Sequence, residues 1–298
     1  MKQAKAHSQK MALPFDRNLV RQRRGRGMSL TMGDDNFLYT RIADDMAARV
    51  FDVSRNFQHV LMLGNTDLCQ LVSSKLGAKL DHITYADHTS MLDNLDIICD
   101  EEALPFKPGS FDLILNLLSM HGVNKVPQML ATVRKLLKPD GLFIASLFGG
   151  STLHELRQVF YAAEDEIYGR VSPRVSSMIR LDQAVSLLSA GGFTLPVADR
   201  DVVLVKYTKL ETLYADLRRM GETNILTARS RVSVSRRFFA KAEQIYQRDY
   251  AELGKYKVSF ETLWLTGWAP HPGQPKPLKP GTATNSLANA LGVEEGKL

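Results

Sequence analysis

The stretch VLMLGNTDL, residues 60–68, decides the fold. Four apolar residues lead into Gly64, and polar residues that suit the start of a helix follow it. An unbroken apolar run is typical of a strand buried on both faces of a parallel sheet. In doubly wound α/β sheets the first strand turns into a helix at such a glycine, and a nucleotide-like ligand lies against the turn. The stretch therefore predicts a first strand over residues 57–63 and a ligand-binding turn at Gly64.

Strands and helices are predicted to alternate around this stretch. Apolar residues at helical spacing predict a helix over residues 37–51. Another helix is predicted over residues 67–76, with Thr66 as its N-cap and Gly77 as its end. Six further strands are predicted at residues 83–86, 95–100, 111–118, 142–148, 202–207 and 257–264. Five further helices are predicted at residues 126–137, 152–168, 182–190, 210–220 and 235–250, the first of them ended by Pro-Asp-Gly. This alternation predicts a doubly wound, Rossmann-like α/β sheet of seven mostly parallel strands.

Composition divides the chain into four parts. Residues 1–36 form a basic N-terminal arm, and residues 37–208 together with 257–268 form the α/β core. Residues 209–256 form a helical insert between the last two strands, expected to cover the open end of the sheet as a lid. Residues 269–298 are rich in Pro and Gly and are expected to be extended.

The basic arm carries almost all of the excess charge. Residues 1–27 contain eight Lys or Arg and one acid, in a chain of net charge +6. So many like charges disfavour a stable isolated helix over FDRNLVRQRRGRG, residues 15–27. Two interpretations remain open for this segment: a solvated arm, or a clamp on an acidic partner or on the substrate mouth. The arginines at positions 229, 231, 236 and 237 are likewise either a partner surface or a solvated face of the insert.

Bulk properties exclude several classes of protein. The modest net charge gives no indication of a nucleic-acid partner. Cys69 and Cys99 lie in apolar surroundings, which predicts buried thiols in a reducing compartment rather than a disulfide or a metal site. No run of 18 apolar residues and no secretory signal is found, so peripheral contact is the only membrane association expected. The expected location is the bacterial cytoplasm, or the mitochondrial matrix in a eukaryote.

Two carboxylates follow predicted strands at positions that suit a nucleoside. Asp87 lies 23 residues after Gly64, close to the ~20 expected between a glycine turn and a ribose-binding acid. Asp100 ends the third strand. A carboxylate can accept two hydroxyl hydrogen bonds, or one from an exocyclic amine. The alternatives are a helix N-cap for Asp87 and a solvated turn acid for Asp100.

Seven motifs together carry a resemblance to a known family. They are FDR at 15–17, the basic run at 21–26, DEEALPF at 100–106, SFDLILNLLSMHGVN at 110–124, LLKPDGLFIASLFGG at 136–150, WAPH at 268–271 and QPKPLKPGTA at 274–283. With them the chain resembles class I S-adenosylmethionine (SAM)-dependent methyltransferases. The group concerned includes the malonyl-acyl-carrier-protein methyltransferases of biotin synthesis and the methyltransferase-like assembly factors of respiratory complex I. The middle motifs are widespread among methyltransferases, whereas the two ends are more specific.

The resemblance implies an antiparallel last strand, SAM as cofactor, and a complex I subunit or other protein as substrate or partner. The cofactor-binding residues that it implies are Gly64 and Asn65 at the methionine part, Asp87 at the ribose, Asp100 at the adenine, and His88, Glu101 and Asn116 in the same cleft. His121 is a candidate catalytic residue. Its alternative is a packed histidine, because methyl transfer to a good nucleophile needs positioning more than a base. No metal site is predicted, since the chain has no His-x-Asp motif.

The first loop departs from the family pattern. Met62, Thr66 and Leu68 stand where methyltransferases commonly carry an acidic residue and two glycines. Met62 cannot accept a hydrogen bond from the ammonium group of SAM, and Leu68 replaces a glycine where the backbone approaches the ligand. Losing a few charged hydrogen bonds costs several kcal/mol. The loop therefore predicts weak or absent SAM binding.

The sequence is compatible with two functions and disfavours a third. The first is a methyltransferase-family enzyme that modifies a complex I subunit, since the complex I group is associated with arginine hydroxylation. The second is a catalytically silent docking module with the same fold. The third, a nicotinamide dehydrogenase, is disfavoured because GNTDLC at 64–69 does not match GxGxxG.

Overall fold

The computed structural model describes residues 13–31, 36–89 and 95–275. The first twelve residues of the basic arm and the tail from residue 276 lie outside the described residues. The strands of the described chain are β1 (Phe57–Gly64), β2 (Leu80–Asp87), β3 (Ile97–Ile98), β4 (Phe111–Leu117), β5 (Leu137–Phe148), β6 (Thr194–Tyr207), β7 (Ala251–Glu252) and β8 (Lys255–Trp268). The helices are α1 (Arg17–Thr31), α2 (Phe37–Phe51), α3 (Thr66–Leu76), α4 (Val126–Leu136), α5 (His154–Tyr168), α6 (Leu181–Ala190), α7 (Leu210–Arg219) and α8 (Arg236–Tyr250).

One sheet organises the molecule, with strand order β3-β2-β1-β4-β5-β8-β6. Neighbours from β3 to β5 are parallel, and β8 is antiparallel to both β5 and β6. The two-residue β7 pairs with the start of β8 as an eighth strand. This confirms the predicted doubly wound sheet of seven main strands with an antiparallel last strand. The strand order reverses between β1 and β4, which places a ligand crevice at the carboxyl ends of these strands.

Both faces of the sheet are covered. Residues of α2, α3, α5, α7 and α8 pack on one face, and residues of α4 and α6 pack on the other. Along β1, Val60 and Met62 belong to the first apolar cluster, whereas Leu61 and Leu63 belong to the second. Alternate side chains of a strand point to opposite faces, so the apolar run in β1 reflects burial on both sides. Among the described helices, none is long and apolar enough to cross a bilayer.

Several element boundaries differ from their predictions. The N-cap of α3 is Asn65 rather than Thr66, because the Asn65 side chain accepts the Leu68 N–H at 3.0 Å. β3 has two residues instead of six, because the carboxylate of Asp96 binds the Tyr85 N–H and so ends regular pairing there. β2 begins three residues early and β8 extends to Trp268.

The strands β5 and β6 are also longer than predicted. β5 begins at Leu137 and includes the Pro-Asp-Gly sequence, which the register shift near Phe111 accommodates; proline is tolerated at such irregularities. β6 begins at Thr194 instead of residue 202. It is an edge strand in which six of the fourteen residues are exposed and only Tyr207 is buried, so its apolar signal is weak.

The basic segment over residues 15–27 is not a solvated arm. Residues Arg17–Thr31 form α1, in which Val20 and Arg24 are buried. Tertiary contacts offset the charge repulsion within the helix. One of these contacts is a close approach to the end of α7: a Cβ on Gly27 would lie 2.6 Å from the Arg219 carbonyl oxygen.

Replacing Gly27 by alanine tests this approach. In an isolated helix, alanine is more favourable than glycine by about 1 kcal/mol. Here the added methyl group overlaps backbone atoms, so we expect Gly27→Ala to lower the melting temperature by about 3–8 °C. The control is Gln22→Ala, an exposed position on the same helix. A melting temperature of Gly27→Ala at or above that of the wild type would contradict the close packing of α1.

Candidate functional site

The crevice at the carboxyl ends of β1 and β4 begins with a sterically required glycine. Gly64 has a φ of +110°, and a Cβ there would lie 2.3 Å from the Leu117 carbonyl oxygen. The next residue, Asn65, caps α3, and its Nδ2 donates to the Tyr39 hydroxyl at 3.0 Å. The turn therefore has the predicted position, but the Asn65 side chain already has partners within the protein.

The residues that depart from the family pattern in this loop are part of the core. Met62 and Leu68 are fully buried in the apolar cluster that also contains residues of α2 and α3. Neither side chain offers a strong hydrogen-bond acceptor. The loop thus contributes packing where an acid and a glycine would contribute ligand contacts.

Arg24 of α1 bridges two buried carboxylates at the ends of β2 and β3. Its Nη1 lies 2.6 Å from Glu101 Oε1 and 3.6 Å from Asp87 Oδ1. Its Nη2 donates to the Ser119 carbonyl oxygen at 3.1 Å. Arg24 is 7 % exposed, Glu101 2 % and Asp87 1 %. Charge-assisted hydrogen bonds of this kind are the stronger ones in proteins.

Arg17 binds the neighbouring acids from the same face of α1. Its Nη2 and Nε donate to the two oxygens of Asp100 at 2.6 and 3.2 Å. It also contacts Glu101, and its Nη1 donates to the Gly122 carbonyl oxygen at 2.7 Å. Glu101 is therefore held between two guanidinium groups.

The surroundings shift the proton affinities of these acids in opposite directions. Burial raises the pKa of Asp87 to about 7, although Arg24 opposes this shift. Burial also acts to raise the pKa of Glu101, but Arg24 and Arg17 outweigh it and hold that pKa far below its ordinary value. For Asp100, hydrogen bonding and charge from Arg17 similarly outweigh burial, so its pKa is lowered.

His88 lies beside the same acids. Its Nε2 is 3.3 Å from Asp100 Oδ2, and burial lowers its pKa. His88, Asp100 and Glu101 offer ligand atoms within 4.8 Å of one another, which is a spacing that a metal ion can use. Both carboxylates are, however, already paired with arginines. We therefore assign no metal to this cluster.

Several buried polar atoms in the crevice have no hydrogen-bond partner among the described residues. Asn116 is fully buried at the end of β4, and its Nδ2 donates to Ser119 Oγ at 2.8 Å, while its Oδ1 has no partner. Asp87 Oδ2, Thr66 Oγ1 and His88 Nδ1 also lack partners. Polar character is thus retained at the crevice. Arg17 pairs with Asp100, the acid implied for adenine, and Arg24 lies 3.6 Å from Asp87, the acid implied for ribose. As arranged here, these residues do not fit SAM in the way that the family resemblance implies.

The structure brings all of the predicted cofactor-binding residues to this one edge of the sheet. Gly64, Asn65, Asp87, His88, Asp100, Glu101 and Asn116 lie at or just beyond the ends of β1, β2, β3 and β4. Sequence patterns do not single out Arg17 and Arg24 as their partners. The sequence does contain one indication of this role: the spacing of Arg17, Val20 and Arg24 puts all three on one helical face. The many like charges of the segment argue against a helix and so make this spacing easy to overlook.

His121 lies apart from the carboxylates, beside a cavity. It follows β4 in a short 3₁₀ turn, and its Nε2 is 3.0 Å from both carboxylate oxygens of Glu222. The cavity has a volume of about 310 Å³, and α5, α7 and α8 contribute to its wall. Its apolar lining includes Phe148, Phe160, Phe238 and Phe260. Glu222 has no sequence signal, because only the fold brings the end of α7 to β4.

The arginines of the insert have different environments. Arg229 lies 3.3 Å from Asp16 and donates to the Leu226 carbonyl oxygen, so it helps to hold the segment before α1. Arg231, Arg236 and Arg237 are exposed.

Comparison with known proteins identifies the family. The arginine-hydroxylase NDUFAF5 of zebrafish mitochondria is 33 % identical over 95 % of this chain and 91 % of its own length. The chain belongs to the class I SAM-dependent methyltransferase family. The human mitochondrial arginine-hydroxylase NDUFAF5 is 32 % identical, over 92 % of this chain and 82 % of its own length. The family described as a methyltransferase domain matches residues 74–145, a range that starts after the Gly64 turn.

A bacterial methyltransferase is also similar in sequence, and two solved structures share the fold. The malonyl-acyl-carrier-protein O-methyltransferase of Xylella fastidiosa is 33 % identical over 57 % of this chain and 56 % of its own length. The YcgJ protein of Bacillus subtilis shares the fold, with a TM-score of 0.50 and 14 % identity over 76 % of this chain and 99 % of its own. The BH2331 protein of Bacillus halodurans has a TM-score of 0.51 and 12 % identity, over 76 % of this chain and all of its own.

The raised pKa of Asp87 predicts a pH-dependent stability. Between about pH 4 and pH 7 the folded Asp87 keeps a proton that the unfolded chain has lost, so stability falls as pH rises over this range and levels off above about 7. Asp87→Asn stays neutral. We expect the free energy of unfolding of Asp87→Asn, relative to the wild type, to rise by about 3 kcal/mol between pH 5 and pH 8 in urea titrations. Asp199→Asn, in a half-exposed pair with Arg49, serves as the control. Parallel pH curves for the wild type and Asp87→Asn would contradict the assignment.

Proposed function

We propose that this chain acts in the assembly of respiratory complex I by binding a protein subunit, with weak or no binding of SAM. The observation that carries the second half of the proposal is Arg24, whose guanidinium bridges Asp87 and Glu101. The family resemblance implies that these are the acids at which the cofactor would bind. Met62 and Leu68 also support weak binding of SAM, because both side chains are buried in the core.

The extent of the similarity supports a role shared with the NDUFAF5 proteins. It spans 95 % of this chain, including α1 and the helical insert, which lie outside the residues matched by the methyltransferase domain. Those relatives are mitochondrial and are named arginine hydroxylases. For this chain we propose the mitochondrial matrix in a eukaryote or the cytoplasm in a bacterium, a protein partner, and no nucleic acid.

A second candidate function is modification of the bound subunit, and the cavity beside His121 favours it. Glu222 supplies a carboxylate at the cavity wall, and His121 holds both of its oxygens. A carboxylate held in this way can pair with a cationic side chain such as arginine, and aromatic rings line the adjoining wall for its aliphatic part. Under this candidate function, His121 and Glu222 are positioning residues for the acceptor.

Isothermal titration with SAM and with S-adenosylhomocysteine tests cofactor binding. Because Arg17 and Arg24 form ion pairs with the crevice acids and the loop lacks its acid, we expect dissociation constants no tighter than about 1 mM, a binding free energy near −4 kcal/mol. Submicromolar affinity for either ligand would refute the docking-module interpretation. A complete lack of heat at millimolar ligand would exclude SAM-dependent turnover.

Complementation in the organism that encodes the chain tests the assembly role and separates the two candidates. Deleting the gene should lower assembled complex I on native gels while leaving the other respiratory complexes unchanged, and the wild-type gene should restore it. Glu222→Gln should complement fully if the chain only docks, and should fail if it modifies a subunit. Exposed Arg231→Gln is the control. Normal complex I in the deletion strain would refute the assembly role altogether.

A further inference from the structure

We infer that α1 is itself the ligand of the crevice: Arg24 and Arg17 fill, as guanidinium groups, the carboxylate site that the family resemblance assigns to adenosine. In its observed position α1 and an adenosine cofactor therefore exclude each other. The inference rests on the weak binding of SAM in the proposed function and does not depend on the role in complex I assembly.

The first support is the geometry around Arg24. One guanidinium contacts Glu101, Asp87 and the Ser119 carbonyl oxygen, with its Nη1 within 3.6 Å of both acids. A helix that merely covered a bound cofactor would leave room for a ribose between itself and these carboxylates. Here the side chain of the helix contacts them directly, and Arg24 is almost fully buried.

The second support is that two arginines on the same face of α1 bind neighbouring acids. Arg17 and Arg24 are seven residues apart, two helical turns, and so lie on one face of α1 with Val20 between them. Arg17 makes a bidentate pair with Asp100 while Arg24 binds Glu101. One helix thus provides hydrogen bonds to two acids that follow β3 and a nearby positive charge to a third, Asp87, at the end of β2.

The third support is the independent anchoring of α1 at both ends. Before the helix, the Phe15 N–H donates to Asn124 Oδ1 at 2.8 Å, and the Asp16 N–H donates to the Ile225 carbonyl oxygen at 2.9 Å. Towards its other end, Gly27 approaches the backbone after α7, and a Cβ on Gly221 would lie 3.1 Å from the Arg24 Cα. The arginines are therefore placed by a packed helix and not by surface charge alone.

The fourth support is the balance of charge. Glu101 is buried, and its two cationic partners are Arg17 and Arg24. Adenosine is uncharged, so replacing the guanidinium groups by adenosine would leave the Glu101 charge buried without a counter-ion, which is strongly unfavourable. Exclusion therefore has an electrostatic cause as well as a steric one.

Chemical rescue tests the guanidinium site in the full-length chain. Breaking a buried ion pair by removing one partner costs several kcal/mol, so Arg24→Ala should lower the melting temperature by about 6–10 °C. Ethylguanidinium chloride at 10 mM should recover at least a third of that loss, whereas ethylammonium chloride at the same concentration should not. Arg41→Ala, which removes an exposed ion pair with Asp201, should lower the melting temperature little, and ethylguanidinium should not raise it. Equal effects of the two salts, or none from either, would overturn the guanidinium site.

A double variant tests the ion pair even if Arg24→Ala fails to fold. R24Q/E101Q removes both charges and should melt at a higher temperature than R24Q. A double variant that melts at or below the temperature of R24Q overturns the pairing of Arg24 with Glu101.

Hydrogen exchange tests whether α1 and a nucleoside exclude each other. In the wild type, exchange of the α1 amides is followed with and without 1 mM S-adenosylhomocysteine. Unchanged or faster exchange agrees with exclusion. Slower exchange across α1 means that helix and nucleoside bind together, and overturns it.

Discussion

The buried carboxylate of Glu101 is the constraint on which the arrangement of the molecule depends. A charge at that depth requires counter-ions. Arg17 and Arg24 supply them, which fixes the position of α1. The position of α1 in turn brings the segment before it against the insert, through Asp16 and Arg229. One electrostatic requirement thus joins the N-terminal segment, the core and the insert.

Different residues of the crevice serve the fold and would serve a ligand. Gly64 is required by the neighbouring backbone of β4, whatever the ligand. Met62 and Leu68 improve the core at positions where ligand contacts would be expected. The acids Asp87 and Asp100 remain, but α1 provides one of them with a partner and lies beside the other. Fold and cofactor site are therefore separable in this chain, because different atoms of the same loop serve them.

Local sequence periodicity was enough to predict the sheet, since β1, β4 and the helices that cover them carry strong apolar patterns. It failed for α1, whose stabilising partners Asp100 and Glu101 lie more than seventy residues away. It underestimated β6, because this edge strand alternates exposed and half-buried residues and resembles a loop in composition. Likewise, the pairing of His121 with Glu222 arises only when α7 folds over β4. The candidate site could be located from sequence, but its occupant could not.

The crowding around Gly64 bears on how such sequences are interpreted. Its contact is with the Leu117 carbonyl oxygen, and it arises from the parallel pairing of β1 with β4. The sheet therefore needs this glycine with or without a bound ligand. A glycine after the first strand is thus a marker of how β1 and β4 pair, and does not by itself identify a cofactor site.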